Sequence, residues 1–181
     1  MIIPKSILAI ASIASDEAAD KFRFDCLHIS RDNEGKCRAM ASDYGRSIIV
    51  AQWADIKNEP VTILLPARVA ADVWKWSRKL REPRPFADID SGSIRCGDIQ
   101  MHFEPQAGKW PPTDFLNATL PPKTSINADP VLLGELLLAV GEIVDQGMRA
   151  VTIRLDNKYV RISGENKFSG FKVEAVLCQL S

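Results

Sequence analysis

The stretch that decides the fold is VTILLPARVAADVWKWSRKL, residues 61–80, where an extended apolar run meets a proline and a helical pattern follows. Proline suits the first turn of a helix because its missing N–H has no intrahelical partner there. Apolar residues then recur at helical spacing, at Val69, Val73, Trp76 and Leu80. Such a stripe indicates one packed face, so we expect Trp76 to lie in the core. The stretch predicts a strand that runs directly into an amphipathic helix.

The same junction occurs three times along the chain. It reads IIP at residues 2–4, LLP at 64–66 and ADP at 128–130, so the prolines are 62 and 64 residues apart. Repetition at a fixed period is the signature of a structure built from one supersecondary unit. We therefore predict three amphipathic helices, at Lys5–Ala14, Ala67–Leu80 and Pro130–Val144.

Strand patterns follow each predicted helix. Apolar and polar residues alternate in them, and a period of two indicates a sheet with one covered face. We predict strands at Phe22–Ser30, Cys37–Ser42, Ser47–Trp53, Phe86–Asp90, Ser93–Cys96, Ile99–Glu104, Val151–Leu155, Tyr159–Ser163 and Phe171–Leu177. Residues 105–122 are rich in proline and are expected to form an irregular connector before the third unit. The fold class is α+β, with antiparallel sheets and the helices on one side.

Composition limits the classes of function. The chain has 181 residues, 46% of them apolar, and a formal net charge of zero, so only a local basic patch could attract nucleic acid. Four cysteines without a C-x-x-C pair indicate buried thiols in a reducing compartment, and we expect a cytoplasmic protein. The apolar start of the chain, Ile7–Ala14, is also compatible with a weak signal peptide, although its serines and helical spacing favour a helix.

The order helix, meandering strands, proline, helix and strands resembles the DNA polymerase sliding clamp of the bacterial beta-subunit type. The resemblance extends over nearly the whole chain and rests on short stretches in the right order. These are Phe24–Ser30, Ala41–Arg46, Ile63–Ala67, Gly108–Pro111 and Phe171–Leu180. One departure is Tyr44, inserted where clamps carry an Ala-Thr-Asp-Gly type of turn. Another is length, because the chain holds three units and a clamp subunit holds six.

The resemblance implies a complete clamp-like domain at residues 1–121, built from two units, and half a domain at residues 122–181. It implies a non-enzymatic protein without cofactors that acts as a processivity or tethering factor. Its expected partners are double-stranded DNA, bound without sequence preference, and DNA polymerase or another replication protein. A clamp-fold interaction or regulatory module that does not encircle DNA is the alternative.

The second predicted helix carries the candidate DNA-binding residues. They are Arg68, Lys75, Arg78, Lys79 and Arg81. Clamp helices line the ring, and phosphate contact requires only positive charges at suitable spacing. The competing interpretation is a solvated face, because cations near a helix C-terminus are favoured by the helix dipole. The third helix argues against a continuous DNA-binding face, since it carries Glu135, Glu142 and Asp145 and no basic residue.

Other candidate sites are weaker. Trp74 and Trp76 lie among these basic residues and could stack on nucleotides, although core packing is the better interpretation for Trp76. Cys26 and His28 are two residues apart, but a zinc site requires three or four ligands. No catalytic motif is present. The last three residues, 179–181, resemble the start of the short peptide by which clamp partners dock, although a simple strand end explains them as well.

The odd number of units predicts association. The third unit has no fourth to complete its domain, so it should leave a sheet edge uncovered, and such edges recruit partners. We expect Val151–Leu155 and Phe171–Leu177 to lie at or near a two-fold contact. A homodimer would satisfy this pairing. A tetramer would supply the twelve units that clamp rings are built from.

Overall fold

The computed structural model describes residues 1–15, 22–43, 47–55, 57, 59–79, 85–110, 128–144, 151–155, 159–166 and 171–178. They form three units. The first comprises β1 (Ile2–Pro4), a 3-10 helix (Lys5–Ile13), β2 (Cys26–Arg31), β3 (Lys36–Asp43) and β4 (Ser47–Ala54). The second comprises β5 (Val61–Pro66), α1 (Ala67–Ser77), β6 (Phe86–Ile89), β7 (Ser93–Cys96) and β8 (Ile99–His102). The third comprises α2 (Pro130–Ile143), β9 (Thr152–Leu155), β10 (Tyr159–Asn166) and β11 (Phe171–Cys178).

The first two units interlock by exchanging their leading strands. Strand β1 pairs with β6 of the second unit, and β5 pairs with β2 of the first, both antiparallel. Ile3 thereby lies opposite Ala87, and Leu65 lies opposite Leu27. All four side chains are buried, and each unit completes the sheet of the other.

The third unit joins the first through a different contact. Strand β11 pairs with β4, and one seven-stranded sheet results, in the order β5-β2-β3-β4-β11-β10-β9. Phe171–Leu177 does not form a free sheet edge, because β4 and β10 flank that strand, and its place near a two-fold contact stays a prediction. Strand β9 stands at the end of the sheet, and no other described residue pairs with its outer side.

The first helix differs from the amphipathic helix that the sequence predicts. It is a 3-10 helix of nine residues and is buried on nearly all sides. With three residues per turn, side chains three positions apart stack in one row, and Ile7, Ile10 and Ile13 form such a buried row. The helix needs no polar face because it packs against α1, α2 and strands β3 and β4.

The two α-helices follow the sequence prediction closely. Helix α2 begins at Pro130, as expected, and the Asp129 carboxylate caps it by accepting hydrogen bonds from the N–H groups of Val131 (2.8 Å) and Leu132 (3.2 Å). Such a cap contributes about 1 kcal/mol to helix stability. The main core lies between this helical layer and the two sheets.

The first strand of the meander begins later than expected, at Cys26 rather than Phe22. The preceding backbone is bonded elsewhere. The Phe24 carbonyl accepts a hydrogen bond from the Ser15 N–H (3.0 Å), and the Asp25 carbonyl accepts one from the Ala67 N–H (2.9 Å). These bonds attach Phe24 and Asp25 to the ends of two helices, and Phe22 makes only an isolated parallel bridge with Lys109.

Candidate nucleic-acid interface

Helix α1 packs through small residues. Its buried positions are Ala67, Ala70, Val73 and Ser77, which recur at helical spacing. Short side chains allow the helix to lie close to the 3-10 helix, with which it has extensive contact. The opposite face, bearing longer side chains, is left to solvent.

Three of the predicted DNA-binding residues share this solvent face. Arg68 and Lys75 are exposed and lie seven positions apart on α1, a spacing that aligns side chains along one stripe of a helix, and the exposed Lys79 lies in the turn just after the helix ends at Ser77. The half-buried Asp72 also lies in this stripe. The structure therefore brings together three of the five predicted cations, and Arg81 lies outside the described residues.

Arg78 is also exposed but is turned towards α2. Its guanidinium NH1 lies 3.7 Å from Glu142 Oε1, and its Cζ lies 5.6 Å from the ring centroid of Trp74. Both members of the ion pair are largely solvated, so the pair is worth at most about 1 kcal/mol. Its consequence is electrostatic, because Glu142 partly neutralises the charge that Arg78 could offer to a phosphate.

Trp76 does not lie in the core, and the prediction that it does is wrong. Its side chain is 53% exposed, because the packed row of the helix passes through Val73 and Ser77 instead. The Lys79 Nζ lies 5.0 Å from the Trp76 ring centroid, within cation–π range. Trp74 is half-buried against the core, with Lys5 Nζ at 5.9 Å. Both tryptophan rings therefore lie within cation–π distance of basic side chains.

Helix α2 presents a different surface. Its exposed stripe combines Val131 and Leu138, which are 66% and 74% exposed, with Glu135 and Glu142. A cleft of about 270 Å³ separates this stripe from α1 and is floored by the 3-10 helix. The helical layer therefore changes from basic on α1 to acidic and apolar on α2. The run of acidic residues in the sequence had indicated this change, while the Arg78–Glu142 contact had no sequence signal.

The described residues contain no group of three or more metal-ligating side chains. Cys26 is fully buried, and burial raises the pKa of its thiol to about 12, so it is no thiolate at neutral pH. His28 packs its ring on Trp110, with the ring centroids 5.6 Å apart. The pKa of His28 is lowered by burial and, secondarily, by the nearby Arg38.

No described helix is long and apolar enough to cross a membrane.

The architecture is that of bacterial sliding clamps. A Helicobacter pylori beta clamp in complex with carprofen matches 98% of this chain with a TM-score of 0.68 and 9% identity, over 64% of its own length. A second H. pylori structure, bound to a DNA ligase peptide, gives 0.65 and 10% over 98% and 62%. The Bacillus subtilis sliding clamp gives 0.51 and 14% over 98% and 48%.

The likeness is one of fold, since no more than about one residue in seven is identical. The chain spans less than two thirds of the length of these clamps. No family model and no curated protein matches the sequence. The predicted clamp-like α+β fold is confirmed.

Proposed function

We propose that this chain is a non-enzymatic, cytoplasmic clamp-like protein that tethers replication machinery to double-stranded DNA. The observation that carries the proposal is the exposed stripe of Arg68, Lys75 and Lys79 on the helical layer of a clamp fold. Cations in a row can contact successive phosphates without reading the bases. A neutral protein with one local basic stripe would bind weakly, in keeping with a clamp that must move along DNA.

The domain organisation that we propose is a complete domain at residues 1–121 and a half domain at 122–181. The interlocked first and second units support the complete domain. We infer that the chain forms homo-oligomers in which the half domain is completed. Two chains complete it, and four chains would supply the twelve units of a closed ring.

A replication protein is the proposed protein partner. The H. pylori clamp that matches this chain was solved with a DNA ligase peptide bound. We propose by analogy that DNA polymerase or another replication protein docks on this chain through a short peptide.

The test replaces Arg68, Lys75 and Lys79 together by glutamine and measures binding to a short DNA duplex at several salt concentrations. Each lost phosphate contact should reduce the slope of log K against log[salt] by about 0.9, so the triple variant should lose roughly 2–3 units of slope. Arg78→Gln alone should have a smaller effect, because Glu142 already pairs with Arg78.

A matched control triple is Lys36→Gln, Arg38→Gln and Arg95→Gln. These three residues are exposed on strands, so the net charge changes equally while α1 is left intact. The control should bind DNA like the unmodified chain. Equal loss in both triples would show attraction by net charge only, and an unchanged slope in the α1 triple would contradict the proposed role of this helix.

The second candidate function is a clamp-fold interaction module that does not encircle DNA. The surface of α2 favours it, because Glu135 and Glu142 repel phosphate and Leu138 is exposed where a DNA channel would be expected to be polar. A chain that stays monomeric and does not bind duplex DNA at low salt would support this candidate over the clamp.

A further inference from the structure

The edge strand of the third unit exposes a residue that the other units bury. By strand position, Ile153 of β9 corresponds to Leu27 of β2 and Ala87 of β6, each the second residue of its strand. Leu27 and Ala87 are 0% and 2% exposed beneath an exchanged leading strand, whereas Ile153 is 51% exposed. Ile153 faces the core side, because its cross-strand partner is the fully buried Ile162.

Helix α2 has an open flank on the same side of the unit. Around the helix, Ala139 faces the cleft beside the 3-10 helix, and Val140 and Val144 lie over Gly164 of β10. The next positions in that direction are Leu137, Gly141 and Gly134, which follow from a rotation of 100° per residue. A Cβ built on Gly134 or Gly141 meets no atom of the described residues within 4 Å.

This flank resembles a helix–helix contact already present in the chain. Helix α1 is in contact with the 3-10 helix, and its buried face contains residues as small as Ala70 and Ser77. Gly134 and Gly141 would permit a second helix to approach α2 equally closely. Leu137, which lies beside them on the flank, is uncharged. Homodimer cores are depleted of charge in the same way.

We propose that two copies of this chain pair through their third units, with the β9 edge and the α2 flank of each copy covered by the other copy. The exchange between the first two units is reciprocal and joins units of one kind. The third unit of a second copy is the partner of that kind, and a two-fold axis covers both open surfaces at once. The inference specifies the oligomer proposed above and is independent of DNA binding.

The observed exchange also gives the register of this pairing. Pro4 lies opposite Phe86 and Pro66 opposite Cys26, so each proline meets the first residue of the strand that it joins. Pro4 and Pro66 are the last residues before their helices, and the residue in that place before α2 is Asp129, because α2 begins at Pro130. By the same rule Asp129 of one copy lies opposite Thr152 of the other. Ala128 then lies opposite Ile153 across the two-fold contact.

The first test changes the α2 flank and measures mass in solution by sedimentation equilibrium. Gly134→Gln with Gly141→Gln should preserve the fold, because glutamine is a better helix former than glycine and nothing crowds either site. The mass of the oligomer should fall by half. Leu138→Gln is the control, since Leu138 is exposed on the cleft side of the same helix and should leave the mass unchanged.

The second test uses the register. Ala128→Cys combined with Ile153→Cys should give a covalent dimer on mild oxidation, and neither single variant should do so through this pair. A chain that is monomeric at high micromolar concentration would overturn the proposal. An oligomer that persists in the Gly134→Gln, Gly141→Gln variant and does not cross-link would also overturn it. The salt dependence of DNA binding in the α1 triple variant tests the proposed function independently of this result.

Discussion

The first two units and the third unit are built from corresponding elements but end in different states. In the first pair, exchanged strands leave Leu27 and Ala87 buried, and the leading proline of each unit continues into a helix that the other unit covers. In the third unit the corresponding Ile153 is half exposed. A residue's place in the repeat therefore does not decide its burial, which depends on whether a second unit closes over it.

Ion pairs show the same difference. In the first unit Arg31 NH1 lies 2.5 Å from Asp55 Oδ2, with both side chains under 10% exposed, and Arg31 Nε donates to the Glu59 carbonyl at 2.7 Å. In the third unit Arg161 NH1 lies 3.2 Å from Glu174 Oε1, and Glu174 is 43% exposed. The pair in the first unit is buried on both sides, whereas the pair in the third unit joins a largely buried arginine to a partly exposed glutamate.

The largest expected effect comes from breaking the buried pair. Asp55→Ala leaves the Arg31 guanidinium buried beside no carboxylate, which should cost about 3–5 kcal/mol of unfolding free energy. Glu174→Ala in the third unit should cost less, because the Glu174 carboxylate is 43% exposed and water weakens the pair from that side. Urea unfolding followed by circular dichroism measures both. Equal losses would mean that the two regions are closed to the same degree.

Two glycines test the covered and open sides of the third unit directly. A Cβ on Gly164 would lie 2.4 Å from Val144 Cγ2, so Gly164→Ala should push α2 from the sheet and cost about 1–3 kcal/mol. Gly134→Ala meets nothing and should stabilise the helix by about 0.5–1 kcal/mol. Thermal unfolding of dilute protein should show shifts of opposite sign. A loss from Gly134→Ala would show that its flank is already crowded.

Local signals in the sequence explain what could be predicted. Proline at the start of a helix and alternating strands act within a few residues, so Pro66 and Pro130 identified their helices correctly. The order of the elements and the clamp-like α+β class followed from repeating these signals.

The remaining features depend on contacts that are distant in sequence. Pairing of β4 with β11 joins residues 120 to 130 positions apart, and nothing local in either strand specifies it. Trp76 was assigned to the core by spacing alone, but the buried row of α1 passes through Ala70, Val73 and Ser77 instead. The acidic surface of α2 lies beside the basic surface of α1 only because the fold places the two helices in one layer.

The face of the sheet away from the helices differs between units in a similar way. His28 is the third residue of β2, and the corresponding residues are Asp88 in β6 and Arg154 in β9. Asp88 and Arg154 are exposed, whereas His28 lies under Trp110 with its Nδ1 buried and without a hydrogen-bond partner among the described residues. The first unit is therefore closed on this face too.

This closure gives the smallest expected effect, a dependence of stability on pH. Burial lowers the pKa of His28 below its ordinary 6.5, so the unfolded chain binds a proton more readily than the folded chain. Stability should be full above that ordinary value and should decline as the pH falls through it, between about pH 7 and pH 5. His28→Phe keeps a ring against Trp110 and removes the titrating group, so urea midpoints of this variant should decline less over that range.

The control is Asp25→Asn. The pKa of Asp25 is lowered by its hydrogen bond from Arg23, so Asp25 loses its stabilising charge only below its ordinary pKa of 3.8. The decline of the urea midpoint between about pH 7 and pH 5 should therefore be the same in this variant as in the unmodified chain. Identical declines in the His28→Phe variant and the unmodified chain would show that His28 is not closed off from water by Trp110.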